Sequence, residues 1–360
     1  MPALYNVAVI GVGLVGKEFI SQLLALPQSP FRLVSITSSK KSYFSSNGIS
    51  SNWKQLLEAS NAKPDFPKLL TDLLVQTPRG QPVRAVVVDN TASESVAAFY
   101  PEFLKAEIHV ITPNKKGWSG ELSLWQKITL ATKEGESKML GEATVGAGLP
   151  IIGTLKNLVA TGDKIIKIEG VLSGTMSYIF NEFSTPNGTG PSFSSVVRTA
   201  KEQGYTEPHP ADDLSGADVA RKLTILSRHI QELLPLLPHG YTSVEVSSLV
   251  PKELEDLTSG DEFVSRLPDF DSHFENLRSD AAKDRQVLRF VGIIDVPSKT
   301  IKASLEKYPV NHPFATSLGG SDNIIAFHTH RYQRPLIVQG AGAGAAVTAA
   351  GVLGDLLSLV

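Results

Sequence analysis

A glycine hexad near the amino terminus leaves few folds open to this chain. The run "GVGLVG", residues 11–16, follows the β-rich run "NVAVIG" and opens a helical pattern, with a second strand pattern, "FRLVSIT", beyond it. Gly11 permits a tight turn, Gly13 lets backbone amides approach a pyrophosphate, and Gly16 allows close packing of helix and strand. This order predicts a dinucleotide site at a helix amino terminus, rather than a merely structural glycine turn. The predicted phosphate-binding residues are Gly11, Gly13, Leu14, Val15 and Gly16.

Strand and helix patterns alternate after the hexad, which predicts a parallel sheet covered by helices. Further strands are predicted at "AVVVDNT", "IHVITPN" and "KMLGEAT". The segment 40–80 is rich in serine, lysine and proline, so it is predicted to be a loop with one helix at 52–59 and little core. Helices of this part are predicted at 14–26, 93–104 and 122–131.

The pattern of predicted strands and helices changes beyond Leu149, which predicts a second domain. "KIIKIEGVLSG", "VLRFVGIIDV", "TIKASLEKY", "NIIAFHTHRY" and "RPLIVQG" read as strands of a mixed or antiparallel sheet, with helices at 196–203 and 215–233. The predicted fold class is therefore an α/β Rossmann dinucleotide-binding domain plus an α+β domain. Residues 1–149 with 340–360 are assigned to the first domain, and 150–339 to the second.

Composition excludes several classes of protein. The net charge of −2 gives no general attraction to nucleic acid or to an anionic membrane. The chain has no cysteine, which excludes disulfides, cysteine-ligated zinc and thiolate catalysis. The start "MPALYNVAVIG" lacks the pattern of a signal peptide, so a cytoplasmic protein is expected. The apolar tail is dense in glycine and contains Asp355, so it predicts a packed helix rather than a membrane span.

Residues at the ends of two predicted strands bear on the choice of cofactor. An acid at the end of the second strand would bind the ribose hydroxyls of NAD, but the sequence there is "SITSSKKSYF". Ser38, Ser39 and Lys40 can bind a 2′-phosphate, which favours NADP over NAD, although ordinary loop residues would look the same. Asn90 and Thr91 end the "VVVDNT" strand, where they either contact the nicotinamide ribose or cap a helix.

Seven segments read together closely resemble homoserine dehydrogenase. They are "VAVIGVGLVG", "VVDNTAS", "ITPNKK", "GEATVGAGLPII", "IEGVLSGTMSYIFNEF", "KEQGYTEPHPADDLSGADVARKLTIL" and "GAGAGAAVTAAGVLGD", and they run from the first strand to the last helix. The resemblance is to the short monofunctional form of fungal type. It implies NAD(P)-linked interconversion of L-homoserine and L-aspartate 4-semialdehyde, on the route to threonine and methionine. It also implies a homodimer, a Rossmann domain rejoined by the last helix, and a substrate domain that carries the subunit interface.

The resemblance implies two functional lysines. Reduction of an aldehyde needs a proton for the developing oxyanion, and a lysine ammonium can supply it. Lys222 in "DVARK" is assigned as the general acid/base, and Lys115 in "TPNKK" as its cofactor-side or substrate-side partner. Asp218, one helical turn from Lys222, is expected to orient it and to accept the substrate ammonium. From the helix pattern alone, a lysine lying along apolar surface in an ordinary ion pair remains the alternative.

Further residues are assigned to the amino-acid end of the substrate. Glu207 in "GYTEP" and Asp213 in "ADDLSG" are expected to accept from an α-ammonium, although Glu207 can also shape a turn and Asp213 can cap the next helix. Gly174 and Thr175 follow a strand and offer backbone and hydroxyl donors, or form only a tight connection. Gly340, in the closing run "GAGAG", is added to the cofactor-binding residues.

A glycine-rich bend at "GEATVGAGLP" is a candidate cation site by the same resemblance. Relatives hold a monovalent cation such as Na⁺ with the acid side chain and backbone carbonyls, and oxygen ligands suit a hard ion. An interdomain hinge without metal is the alternative. His328 and His330 share a strand face but lack a third ligand, so they are not assigned to a metal. The implied ligands are Glu142, Val145, Ala147 and Leu149.

Two rival functions follow from the nucleotide site alone. One is an NADP-linked reductase of another small oxo-compound, which would lack the "GYTEP" and "DVARK" block. The other is a dinucleotide-sensing protein without catalysis, and the presence of Lys115, Glu207, Asp218 and Lys222 counts against it.

Overall fold

The computed structural model describes residues 4–78, Gly80 and 83–360, which form two compact units. The first unit contains residues through Gly148 together with Ala343–Val360, and the second contains Leu149–Gly342. The later boundary falls at Ala343 rather than at the predicted residue 340.

The first unit is built on one sheet with helices along its connections. Its strands are β1 (Leu4–Ile10), β2 (Phe31–Thr37), β3 (Ser42–Phe44), β4 (Val83–Asp89), β5 (His109–Ile111) and β6 (Met139–Leu140). Its helices are α1 (Leu14–Leu24), α2 (Trp53–Ala59), α3 (Phe66–Gln76), α4 (Glu94–Ala98), α5 (Tyr100–Lys105), α6 (Lys116–Ser119) and α7 (Leu122–Glu134), and the last helix of the chain, Ala345–Leu357, returns to this unit.

The strand order of this sheet places a ligand-binding edge beside the hexad. The order is β3-β2-β1-β4-β5-β6, and all neighbours are parallel except β3, which runs antiparallel to β2. The chain leaves β1 toward β2 on one side and later returns as β4 on the other. Ligands of open α/β sheets bind outside the carboxyl ends of the strands at such a switch point. Gly11 and Asn90 follow β1 and β4 there, and the Asn90 N–H donates to the Ile10 carbonyl at 2.7 Å.

The segment 40–80 contributes to the core, so the prediction that it carries little core was wrong. Trp53 and Leu57 of α2 pack into the same apolar cluster as β1 and β2. Leu69 and Leu73 of α3 are also buried, and that helix was not predicted. In both helices the buried residues are four apart, which places them on one face. The surrounding serine, lysine and proline residues conceal that spacing in the sequence.

The second unit is a mixed sheet with helices. Its helices are α8 (Ile152–Ala160), α9 (Gly174–Phe183), α10 (Phe193–Glu202), α11 (Pro210–Leu214), α12 (Ala217–Ser227), α13 (Gly260–Arg266), α14 (Asp271–Lys283) and α15 (Pro313–Thr316). Its strands are β7 (Ile165–Val171), β8 (Glu245–Val246), β9 (Gln286–Asp295), β10 (Thr300–Pro309), β11 (Asp322–Thr329) and β12 (Leu336–Ala341). The final helix of the chain, Ala345–Leu357, is accordingly α16.

The second sheet has the order β12-β11-β7-β9-β10-β8, antiparallel except for the β8–β10 pair. The predicted fold class, a Rossmann unit plus an α+β unit with a mixed sheet, is confirmed. The predicted helix 215–233 is shorter than expected: α12 ends at Ser227, and a 3₁₀ turn containing Pro235 follows. Pro235 lacks the N–H that an α-helix interior requires, so the apolar run after Ser227 cannot continue as α-helix through that residue. Among the helices that the structure describes, none is both long and apolar enough to cross a bilayer.

A buried carboxylate, Glu169 of β7, is held by side chains from three strands. It accepts from Lys167 Nζ at 2.6 Å and Tyr308 Oη at 3.1 Å, and it lies 2.9 Å from His328 Nε2. Burial raises the pKa of Glu169, but the bonds from His328 and Lys167 outweigh it and lower the pKa to about 2. His328 is therefore part of a structural network. No cluster of three or more histidine or acidic residues able to hold a metal occurs in the described part of the chain.

Glu169→Gln is expected to lower the free energy of unfolding by about 2 kcal/mol at pH 7, because charged hydrogen bonds are lost inside the sheet. The pKa is depressed by folding, so this contribution is present above the ordinary glutamate pKa of 4.5 and is lost as the pH falls toward about 2. Urea unfolding at pH 7 and pH 3 measures it. Asp280→Asn, in the exposed Lys283 pair, is the control and should change stability little. An equal effect of both substitutions would contradict the prediction.

Candidate functional site

The glycine hexad forms a turn that leaves helix amides open to an anion. Gly11 has φ 88°, which favours glycine, and its N–H donates to the Thr37 carbonyl at 2.7 Å. A Cβ on Gly16 would lie 1.9 Å from the Gly11 carbonyl oxygen, whereas a Cβ on Gly13 would meet nothing within 4 Å. Helix α1 has no side-chain cap, so its first amides, including those of Leu14 and Val15, can bind a pyrophosphate.

The loop after β4 carries a buried amide without a partner. Neither Nδ2 nor Oδ1 of Asn90 has a hydrogen-bond partner among the described residues, although both atoms are buried. Leaving such a group unpaired costs roughly 1–3 kcal/mol, so a bound molecule that pairs with it fits this position. The capping alternative does not hold for this loop, because Ser93 caps α4 by accepting from the Val96 N–H. Thr91 Oγ1 accepts from the Ser93 N–H at 3.1 Å.

The turn after β2 contains the three residues predicted to bind a ribose 2′-phosphate. Ser38 Oγ accepts from the Lys41 N–H at 2.9 Å and donates to the Lys41 carbonyl at 3.1 Å, so its hydroxyl is used inside the turn. Ser39 and Lys40 are exposed at its tip. The side chains of Ser39 and Lys40 are therefore the ones that the hydrogen bonds within the turn do not use.

Lys115 stands at the start of α6, directly after β5. Its carbonyl accepts from Ser119 Oγ at 2.9 Å, and its side chain is half-buried. Because β5 is parallel to β4, the Lys115 turn and the Asn90 loop lie at the same edge of the sheet. The first unit thus brings Gly11, Asn90 and Lys115 to one edge.

Lys222 is buried in the second unit and held at two points. It is 7% exposed, its Nζ donates to the Leu172 carbonyl at 2.6 Å, and it lies 2.7 Å from Asp218 Oδ2. The Asp218 side chain is 44% exposed, so only the lysine end of the pair is withdrawn from water. A snorkelling lysine keeps its ammonium in water, and this one does not.

The acidic residues of the "GYTEPHPADD" segment are linked to α9. Asp213 Oδ2 accepts from the Glu207 N–H at 2.8 Å, and Asp213 Oδ1 lies 2.9 Å from Thr175 Oγ1. The capping alternative for Asp213 was wrong, because Gly216 stands at the amino end of α12 and no side chain caps it. Burial raises the pKa of Asp213, and the charges of Glu207 and Asp218 add to that rise. The charges of Glu207 and Asp218 therefore act on Asp213, and Asp218 is in turn paired with Lys222.

Helix α9 begins at Gly174, immediately after β7. Ser173 caps it by accepting from the Met176 N–H at 3.3 Å. A Cβ on Gly174 would lie 3.0 Å from the Ser321 carbonyl, so the backbone here is tightly packed. Thr175 is in the first turn of α9, and its hydroxyl also reaches the Tyr205 carbonyl at 2.6 Å. Gly174 and Thr175 thus form a tight strand-to-helix connection, and the same two residues are the ones assigned to the substrate.

The predicted cation ligands lie in a strained bend, and they divide between the two units. Gly146 and Ala147 both have positive φ, 73° and 54°, and the Glu142 N–H donates to Asp355 Oδ2 at 2.8 Å. Val145 is fully buried in this bend, whereas Leu149 begins the second unit. Gly340 is likewise in the second unit, in β12, where a Cβ would lie 3.0 Å from Leu149 Cδ2.

Asn323 of β11 was not predicted, yet it shares a carbonyl with Lys222. Its Nδ2 donates to the Leu172 oxygen at 3.1 Å, and its buried Oδ1 has no partner among the described residues. Asn323 is 151 residues from Leu172, so no local pattern could have indicated the contact.

The first unit presents a Rossmann-type dinucleotide edge, and the second presents a buried amine among carboxylates, which suits a small substrate with an ammonium group. These features define a dinucleotide-dependent oxidoreductase. The family model for homoserine dehydrogenase matches residues 150–357, and that for the homoserine dehydrogenase NAD-binding domain matches residues 11–142. The chain belongs to the homoserine dehydrogenase family.

Full-length relatives agree with this assignment. The chain is 46% identical to homoserine dehydrogenase of Saccharomyces cerevisiae, covering 98% of this chain and 97% of the relative. It is 47% identical to that of Schizosaccharomyces pombe, covering 99% and 95%. It spans 38% of the maize bifunctional aspartokinase/homoserine dehydrogenase 2, at 46% identity. The predicted resemblance to the fungal enzymes is confirmed, and the chain is an oxidoreductase acting on a CH–OH group with a nicotinamide dinucleotide.

Solved structures share the fold. A crystal structure of a Candida auris protein of unknown function superposes with a TM-score of 0.91 at 43% identity, covering 98% of this chain and 97% of that one. A hyperthermophilic archaeal homoserine dehydrogenase in complex with NADPH gives 0.69 at 19% identity, covering 99% and 97%. At that identity the likeness shows the fold alone.

Proposed function

We propose that Lys222 is the general acid/base in the interconversion of L-homoserine and L-aspartate 4-semialdehyde, a step of threonine and methionine biosynthesis. The observation that carries this role is the buried ammonium group, held between the Leu172 carbonyl and Asp218. When bound, the reduced nicotinamide supplies the hydride that reaches the aldehyde carbon. Lys222 donates a proton to the oxygen as its negative charge grows, and accepts it back in the oxidative direction. Asp218 orients the amine through the 2.7 Å ion pair.

The substrate's amino-acid end is assigned to the residues around α9. Glu207 and Asp213 offer carboxylates to the α-ammonium, with Asp218 as a further acceptor. Gly174 supplies an amide donor at the start of α9, and the Thr175 hydroxyl, which is bonded to the Tyr205 carbonyl and to Asp213, holds Asp213 in place. The bonds from Asp213 to the Glu207 N–H and to Thr175 support one connected site, because they fix the two segments to each other.

The cofactor is assigned to the first unit, with NADP preferred over NAD. The open α1 amides would bind the pyrophosphate, the unpaired Asn90 amide and Thr91 the nicotinamide ribose, and Lys115 the reacting end. Lys40 carries the preference, because its exposed ammonium lies in the turn after β2, where a ribose 2′-phosphate is recognised. Ser38 contributes by shaping that turn, and Ser39 by its free hydroxyl. Gly340 stays a proposed cofactor contact.

Turnover with both cofactors tests the function and the preference together. Purified protein should oxidise NADPH in the presence of L-aspartate 4-semialdehyde, followed at the nicotinamide absorbance band. Lys40→Ala should lower kcat/KM for NADPH about 10-fold while changing that for NADH little, since only the phosphate contact is lost. Lys63→Ala, another lysine of the same unit, is the control and should alter neither. No turnover by folded protein would remove the activity, and equal losses with both cofactors would remove the role of Lys40.

Three further assignments concern assembly, metal and location. We propose a homodimer assembled through the second unit, for which sedimentation should give twice the mass of the chain, and a monomer would reject it.

We propose a monovalent cation at the bend of Glu142, Val145, Ala147 and Leu149, supported by the oxygen-only donor set. Equal thermal stability in sodium and in a bulky organic cation would count against it. Cytoplasmic residence is proposed from sequence, and fluorescence imaging of a tagged protein checks it.

A further inference from the structure

Asp89, the last residue of β4, is a fully buried carboxylate at the ligand-binding edge of the first sheet. Its Oδ1 accepts from the Thr91 N–H at 2.8 Å, and its Oδ2 accepts from Asn114 Nδ2 at 3.0 Å and from the Tyr100 hydroxyl. Its backbone carbonyl accepts from Thr112 Oγ1 at 2.7 Å. One residue is therefore bonded both to the loop after β4 and to the turn after β5.

Asn114 completes the link and fixes the backbone on both sides of Lys115. Its second Nδ2 proton goes to the Ser93 carbonyl at 2.9 Å, and its Oδ1 accepts from the Lys116 N–H at 3.0 Å. Its own N–H donates to Thr112 Oγ1 at 2.8 Å. The residues immediately before and after Lys115 are thus anchored to a network centred on Asp89.

A brace for stability alone would not need a charge here. Burying a carboxylate carries a large desolvation cost, and apolar residues of similar size usually stabilise such a position as well or better. Val86, Val87 and Val88 precede Asp89 in the same strand and are fully buried without polar contacts of their side chains. What the carboxylate adds is direction, because two oxygens accept three donors at defined angles. Burial and the neighbouring Asp89 charge raise the pKa of Tyr100, which keeps it a donor.

We propose that Asp89 is a positioning residue for hydride transfer: it holds the loop of Asn90 and Thr91 at a fixed distance from the turn of Lys115. The inference rests on the proposed function, in which those two segments serve the nicotinamide end of the cofactor. Asp89 touches neither cofactor nor substrate and acts through Thr91 and Asn114. Loosening the network should misplace the hydride donor rather than weaken the binding of homoserine.

The test uses the full chain and L-homoserine deuterated at the carbinol carbon. Asp89→Asn should lower kcat about 10- to 100-fold, because small misplacements of reacting atoms are costly, and should change the KM for L-homoserine less than about 3-fold. The deuterium isotope effect on kcat should rise, as hydride transfer becomes the slow step. Tyr100→Phe should shift kcat and the isotope effect in the same direction by a smaller factor, and it serves if Asp89→Asn fails to fold.

Tyr5→Phe is the matched control. Tyr5 is also a buried tyrosine of the first unit, and its hydroxyl donates to the Leu359 carbonyl at 2.7 Å, but it lies near the amino end of strand β1, away from the carboxyl end. It should lower thermal stability without changing the isotope effect. If Tyr100→Phe and Asp89→Asn behave as Tyr5→Phe does, the positioning role is overturned. Thr91→Ala and Lys115→Ala separate the two proposals: normal kcat in both would instead overturn the assignment of these segments to the nicotinamide.

Discussion

Lys222→Ala is expected to lower kcat by about two to four powers of ten, the usual contribution of a general acid. The loss should appear in kcat and in kcat/KM alike, because the proton transfer stabilises only the transition state. Lys222→Arg should recover little, since a guanidinium keeps the charge but does not release its proton in this pH range. Steady-state rates with NADPH and L-aspartate 4-semialdehyde measure both.

The control for Lys222 is a lysine in a comparable helix pair. Lys283 lies 2.8 Å from Asp280 on α14, and its side chain is 74% exposed. Lys283→Ala should leave kcat unchanged, because that ion pair stands in water and serves only the helix surface. Asp218→Asn should give an intermediate loss. Full activity of Lys222→Ala would move the proton role elsewhere, with Lys115 as the first candidate.

Gly16→Ala should abolish measurable cofactor binding and lower the unfolding temperature of the protein. Its Cβ would stand 1.9 Å from the Gly11 carbonyl oxygen, so the turn and α1 must separate. Overpacking of this kind typically costs about 1–3 kcal/mol, and the displaced amides no longer converge on a phosphate. Thermal unfolding and titration with NADPH by fluorescence measure the two effects.

Two other glycines separate the effects of packing and binding. A Cβ on Gly13 meets no atom within 4 Å, so Gly13→Ala should fold normally and weaken NADPH binding by obstructing the pyrophosphate. Gly354 of α16 is equally unobstructed, and Gly354→Ala should leave NADPH binding unchanged. If Gly16→Ala bound NADPH as the parent does, the hexad would not be the phosphate site.

The parts of the fold that the sequence predicts are those with local signals. The hexad, the strands on either side of it and the change of pattern near Leu149 depend on residues close together in the chain. The structure has β1 and β2 around the hexad, and its second unit begins at Leu149. Helix α3 escaped prediction because the serine, lysine and proline content of the whole segment 40–80 outweighed the helical spacing of Leu69 and Leu73. The extent of α12 was overestimated because the apolar pattern continues beyond Ser227 into a 3₁₀ turn.

The candidate site is predicted less completely, for a physical reason. The types of residue needed for hydride and proton transfer mark Lys222, Asp218 and Glu207, but supporting residues are chosen by contacts across the fold. Asp89 meets Asn114 across 25 residues, and Asn323 meets Leu172 across 151. An acid at the end of a valine-rich strand was a visible signal for Asp89, since charge is costly in such a place. No comparable signal marks Asn323.

The return of α16 to the first unit bears on how the protein is made. On α16, Val352 and Leu356 belong to the same apolar cluster as β1, and Tyr5 is bonded to Leu359 just beyond the helix. A ribosome synthesises these partners only after the whole of the second unit. The second unit is one unbroken segment, whereas the nucleotide-binding unit is complete only once α16, which follows the second unit in the chain, has been synthesised. The unit whose synthesis begins first is therefore the unit whose chain is completed second.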